Sequence, residues 1–325
     1  MTFKIPDASQ LFAGRRRFLA ATGLAGIAGL AGFARPLRAD DELPDDRDDR
    51  EVGVRRRRSS RRDIDILNFA LNLEYLEAEF YLRAAFGRGL ADADTAGVGE
   101  LGGVVGGQQV NFTNRALLDY ATEIAIDEEN HVKFLRAALG ERAAARPAID
   151  LASSFSAAAA AAGLIAAGET FDPFANELNF LLGAYIFEDV GVTAYAGAAP
   201  LLANPDFIGA AAQILAVEAY HAANVRTTLF ALSREAGNES LAVAANAISD
   251  ARDSLDGEDD RDQGIVIPGA DPANPTVGEI ANIVPTDANG LAFTRSPSEV
   301  LGIVYLNPLA APGGFFPNGT NGQIR

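Results

Sequence analysis

Between Asp63 and Phe86, apolar residues recur at three- and four-residue steps: Ile66, Phe69, Ala70, Leu73, Leu76, Phe80 and Ala84. Such spacing lines one face of an α-helix and predicts a long amphipathic helix over 63–86. The same periodicity predicts helices at roughly 110–139, 173–198 and 207–234. Small residues from Gly87 to Gly107 form the first connection, and 142–170 forms a long second one, with an alanine-rich piece at Ala157–Ala162 of high helix propensity. Pro173 suits the first turn of the third helix, and Asp206, after the break at Asn204-Pro205, is placed to cap the fourth.

Four long helices with one long crossover describe an all-α four-helix bundle built from two helix pairs, here residues 63–236. Residues 237–325 then predict a fifth helix at Ser240–Leu255, an acidic turn at Gly257–Gln263, a short helix at Pro297–Tyr305, and an irregular C-terminal arm. Gly313-Gly314-Phe315-Phe316-Pro317 is too apolar for a free tail. It is expected to pack on the bundle or across the interface of a homo-oligomer.

Polar residues inside the apolar pattern carry the chemistry. The chain has two histidines, and each follows a glutamate by three residues: Glu128 with His131, and Glu218 with His221. Three residues turn a helix by about 300°, so both side chains project from one face and can reach one transition metal. The first and third helices each place a glutamate among apolar neighbours: Glu188 on the third, and Glu74 or Glu77 on the first. Tyrosines choose between the latter two, since Tyr81 follows Glu74 by seven residues as Tyr195 follows Glu188. That repeat favours Glu74, with Glu77 as its substitute, and sets Tyr81 and Tyr195 beside the ligands. Asp127, Glu129 and Asp189 point away from the ligand faces, to the surface or to groups behind the ligands.

Burying an unpaired carboxylate costs several kcal/mol, and four together repel one another, so they either protonate or enclose cations. Four negative charges balance two divalent ions. The set Glu74, Glu128, His131, Glu188, Glu218, His221 therefore predicts a dinuclear centre. With no cysteine in the chain, thiolate zinc sites, iron–sulfur clusters and disulfides are all excluded. Oxygen and imidazole donors point to two iron or two manganese ions. A formal charge of −17 opposes nonspecific binding of nucleic acid. No nucleotide-binding glycine loop and no nucleophile elbow occurs.

At the N-terminus, Arg15-Arg16-Arg17-Phe18-Leu19 precedes an apolar run too short and glycine-rich to span a membrane well. It resembles a twin-arginine export signal over 1–39, with a cleavage site near Leu37-Arg38-Ala39. Removing this +5 segment takes the chain from −17 to −22 and leaves no stable membrane span. Residues 40–62, acidic and then basic, predict a solvated linker.

Taken with the six-residue pattern, residues 63 to about 236 resemble the ferritin-like superfamily of di-iron and di-manganese carboxylate bundles. NLEYLEAEFYL, GVTAYAGAAPLL and SPSEVLGIVYLNPLAAPGGFFPNGTNGQIR are similar to its desiccation-related branch. The resemblance implies an exported protein, in the periplasm or outside the cell, that oxidises ferrous iron or consumes peroxide or oxygen under drying or oxidative stress. Manganese-catalase-like disproportionation of peroxide is an alternative implication. A structural stress protein whose metal only stabilises the bundle is another.

Overall fold

The computed structural model describes residues 48–235, 240–268 and 279–325. The expected export signal and the first residues of the expected linker lie outside these. The first helix, α1, runs Asp48–Phe86 and so begins well before the predicted Asp63. The basic half of the expected linker is therefore helical. Arginine is a good helix former, and extending an existing helix needs no new nucleus.

Helix α2 spans Arg115–Leu139, later than the periodicity suggests, because Asn114 caps it by accepting from the Ala116 amide at 2.9 Å. In the crossover, α3 forms over Ser153–Ala161, around the alanine-rich piece. Helix α4, Glu177–Ala198, starts where Asn176 accepts from the Leu178 and Asn179 amides, so Pro173 precedes the helix and does not sit in its first turn. Capping of α5, Pro205–Glu235, also corrects the sequence reading. Asn204 accepts from the Asp206 amide at 2.9 Å, Pro205 takes the first helical position, and Asp206 lies inside the first turn. The fifth long helix, α6, covers Ser240–Asp253, and α7 covers Pro297–Val304 behind a Ser296–Glu299 capping box.

Two short strand pairs were not legible in the periodicity. β1 (Val104–Val105) runs parallel to β2 (Ile149–Asp150) and ties the two connections together. β3 (Val266–Pro268) pairs antiparallel with β4 (Glu279–Ala281).

Helices α1, α2, α4 and α5 make the bundle within the unit Gly53–Arg325. Helix α4 is apolar on every side and packs against α5, α6 and α7, while its Phe187 ring meets Phe80 of α1. The expectation of an amphipathic α1 is too weak, since it is buried on nearly all faces from Ile66 to Ala85. Its outer face is covered by the crossover, which meets Asn68, Tyr75 and Glu79, and by the C-terminal arm, which packs on the bundle of its own chain. Phe315 sits between Phe155 and Phe187 at ring distances of 5.0 and 4.9 Å. Asn72 exchanges side-chain hydrogen bonds with the backbone of Asn321, at 2.8 and 2.9 Å. Gly197 admits this packing, because a Cβ there would lie 2.0 Å from the Arg295 carbonyl oxygen.

Candidate metal centre

Each bundle helix delivers its polar residue to one buried place. Glu74 comes from α1, Glu128 and His131 from α2, Glu188 from α4, and Glu218 and His221 from α5. Potential donor atoms of Glu74, Glu128, His131 and Glu218 lie within 4.8 Å of one another, and so do those of Glu188, Glu218 and His221. The two groups share Glu218. Glu128 also spans them: its Oε2 lies 3.5 Å from His131 Nδ1 and its Oε1 lies 3.1 Å from His221 Nδ1. The glutamates of the two Glu-x-x-His pairs are thus central, and Glu74 and Glu188 lie at the two ends. His131 Nδ1 is 3.2 Å from Glu74 Oε2, and His221 Nδ1 is 3.8 Å from Glu188 Oε2.

The tyrosines are arranged in a way the sequence repeat does not reveal. Tyr81 donates to Glu188 and Tyr195 donates to Glu74, so each serves the glutamate of the opposite helix. Their hydroxyls are buried, which holds both phenols protonated; burial and the adjacent carboxylate push each well above its ordinary range. Asp127 points away from the cluster centre, as expected, and its Oδ2 meets His221 Nε2 at 3.2 Å. Glu129 lies at the surface with Arg88 and Lys133. Asp189 is buried and joins Arg226 and Arg252 at 2.7 and 2.9 Å, fixing α4 to α5 and α6.

Glu77 is buried beside the cluster but belongs to neither donor group. A Cβ added at Gly191 would lie 2.6 Å from Glu218 Oε2 and 3.4 Å from Glu77 Oε1, so the glycine makes room for both carboxylates.

Burial dominates the electrostatics. It pushes Glu74 up to about 8 despite the opposing pull of His131. Burial also raises Glu77 and Glu188 well above the carboxylate range; nearby carboxylates add to it for both, while His221 opposes it for Glu188. Glu218 is raised by burial and by Glu128. Glu128 departs from the expectation that all four would rise. Burial acts on it too, but both imidazoles outweigh it and hold its pKa below the ordinary value. The histidines rise against their own burial. Glu74 and Glu128 lift His131 far above its usual value, and Asp127 and Glu128 lift His221 to about 11. Protons therefore occupy the cluster when no cation does.

Even so, Oε1 and Oε2 of Glu128, Oε2 of Glu188, both carboxylate oxygens of Glu218 and Nδ1 of His221 are buried without a hydrogen bond. Nearly all buried polar atoms in proteins find a partner, and inward-facing carboxylate and imidazole lone pairs are what a hard or borderline cation requires. The donor set fits two such ions.

A cleft of about 610 Å³ between Gly106 and Phe174 contains none of the cluster residues. An apolar gap beside Glu77 and Gly191 has room for about 10 Å³, one water at most.

A family model described as a ferritin-like domain matches residues 62–231. The chain belongs to the ferritin-like family. It is 32% identical over 267 residues to the desiccation-related protein PCC13-62 of Craterostigma plantagineum, covering 80% of this chain and 83% of that one. It is 30% identical over 270 residues to the ferritin-like catalase Nec2 of Nesocodon mauritianus, covering 81% and 84%. These likenesses join it to the desiccation-related branch of the ferritin-like proteins. No solved structure matches the chain. Among the described residues, no helix is long and apolar enough to cross a membrane.

Proposed function

We propose that this ferritin-like protein holds two iron or two manganese ions between Glu74, Glu128, His131, Glu188, Glu218 and His221 and consumes hydrogen peroxide there. One observation carries the reading: two donor groups share Glu218, an arrangement compatible with a pair of adjacent ions. The similarity to a protein named a ferritin-like catalase supports peroxide as the reactant. When bound, the ions would supply paired one-electron redox capacity.

The chain's own residues supply the rest. Tyr81 and Tyr195 each hold one oxygen of an end glutamate, leaving the other to face inward. Asp127 fixes the His221 ring so that Nδ1 faces the cluster. Glu77, kept neutral by burial, holds a proton at the edge of the site. Packing around α4 excludes bulk water and restricts entry to small molecules.

Oxidation of ferrous iron is a second reading. It is favoured by the surplus of carboxylates, since Glu77 adds a fifth to the four of the donor set and Asp127 reaches the surface. The two readings differ in stoichiometry. Disproportionation converts two peroxides to one dioxygen and two waters. Ferrous oxidation converts two ferrous ions, one peroxide and two protons to two ferric ions and two waters. Protein loaded separately with manganese and with iron, then supplied with peroxide in an oxygen electrode, separates them. Evolution of one dioxygen per two peroxides supports the first. Peroxide loss without gas, matched to ferric ion formed, supports the second. Tightly held metal with no peroxide loss in either form would leave a structural role for the ions.

We also propose that the protein works outside the cytoplasm, in the periplasm or beyond, under drying or oxidative stress. The support is the Arg15-Arg16 motif with its following apolar run, and the similarity to a desiccation-related protein. Replacing Arg15 and Arg16 together by lysine should leave the precursor inside the cell. Unimpaired export of that variant would point to another route.

A further inference from the structure

The two Glu-x-x-His pairs are equivalent in the chain but differently supported. In each, one residue precedes the glutamate: Asp127 before Glu128, and Val217 before Glu218. Asp127 Oδ2 lies 3.2 Å from His221 Nε2, across from its own helix, and its side chain keeps 40% of its exposure. His131 has no such partner. Its contacts with Glu74, Glu128 and Glu218 all run through Nδ1, and no carboxylate pairs with its Nε2 among the described residues. The pseudo-equivalent residue, Val217, has no acceptor to offer.

We infer that Asp127 makes the two metal positions unequal, so that the position served by His221 and Glu188 fills first. This rests on the dinuclear reading of the site. An imidazole that binds a metal through one nitrogen is oriented and made a better donor when the other N–H is held by a carboxylate. When a metal displaces the Nδ1 proton, the Nε2–H of His221 would donate to Asp127 and the Nδ1 lone pair would face the cluster. His131 must bind from a ring held by its packing alone, with Nε2 offered no carboxylate. Asp127 is thus a positioning residue for one ion and not the other.

The test is a titration of metal-free full-length protein with Mn²⁺, reading the free ion by electron paramagnetic resonance. The wild-type chain should take up two ions in two separable steps. His221→Ala should remove the tighter step, and His131→Ala the weaker. Asp127→Val should weaken the tighter step by roughly ten- to a hundred-fold and leave the other in place. Asp127→Asn, which keeps the shape and an acceptor but loses the charge, should weaken it by a smaller factor, and carries the test if the valine variant does not fold. In the Asp127→Val background, Val217→Asp should tighten the remaining His131 position. A role in folding alone would not move one binding step and spare the other. If the wild-type chain binds two ions and Asp127→Val leaves the tighter step unchanged, or if His131→Ala is the variant that removes it, the inference is overturned while the dinuclear reading stands. If the wild-type chain takes up no Mn²⁺ stoichiometrically, both fall together.

Discussion

Tyr81 of α1 donates its hydroxyl to Glu188 of α4, not to Glu74, its neighbour two turns back on its own helix. Tyr195 of α4 completes the exchange by donating to Glu74. Each end glutamate is thus held by the helix opposite, which locks α1 and α4 in register at the depth of the cluster.

Replacing Tyr81 by phenylalanine keeps the ring and removes the donor, leaving Glu188 Oε1 buried and unpaired. That omission should cost about 1–3 kcal/mol of stability in the metal-free protein. Urea unfolding of Tyr81→Phe and Tyr195→Phe measures it, and a midpoint unchanged in both would show that neither hydroxyl matters to the fold.

Glu74 and Glu77 are three residues apart and both buried, yet only Glu74 stands in a donor group. Glu74→Gln should therefore lower metal content towards one ion per chain, while Glu77→Gln should keep two. Removal of both imidazoles, His131→Ala with His221→Ala, should abolish binding. Elemental analysis of the purified folded variants decides it. The reverse order for the two glutamates would transfer the role to Glu77.

Asp189 is the common partner of two buried guanidinium groups, Arg226 and Arg252. Asp189→Asn removes the charge that balances them and should destabilise the protein by about 3–5 kcal/mol, the cost of leaving a buried charge uncompensated. Thermal and urea melts would report it. A loss below about 1 kcal/mol would mean that Asp262 on Arg252, and the carbonyl oxygens of Gln263, Gly264 and Asn282 on Arg226, suffice.

Stability should depend on pH in opposite senses with and without metal. In the metal-free protein, burial raises Glu74 to about 8, with Glu77, Glu188 and Glu218 also raised, and His221 rises to about 11. A folded state with raised pKa values binds more protons than the unfolded chain. The metal-free protein should therefore lose stability as pH climbs from the unfolded carboxylate range, near 4.5, through 8, and continue to lose it through the histidine range. Each excess proton contributes a slope of about 1.4 kcal/mol per pH unit. Glu128, lowered by the imidazoles, acts in the opposite sense only in acid. Bound metal requires ionised glutamates and neutral histidines, so the loaded protein should lose stability as pH falls. The gap between the two melting temperatures should widen from pH 5 to pH 8. A gap that narrows would mean these carboxylates do not share one metal site.

The sequence by itself determined the helix order, the crossover, and five of the six residues that converge, leaving Glu74 and Glu77 as alternatives for the sixth. Periodicity reports which positions share a helix face, and glutamate or histidine on an apolar face has few reasons to be there other than a shared polar centre. The caps needed the structure, since Asn176 and Asn204 emerge only from seeing which side chain meets the free amides. Tertiary structure alone decided the rest. That Glu128 and Glu218 lie at the centre, that the tyrosines cross between helices, and that Asp127 reaches His221 all depend on how helices pack, which spacing within one helix cannot encode. The same holds for α1, whose apolar stripe predicts one buried face. Its other faces are buried because the crossover returns to cover Asn68 and Tyr75, and an arm about 250 residues further along covers Asn72, as the Asn72–Asn321 hydrogen bonds record. A contact between residues so distant in sequence follows from the fold as a whole, since no local preference of either residue names the other.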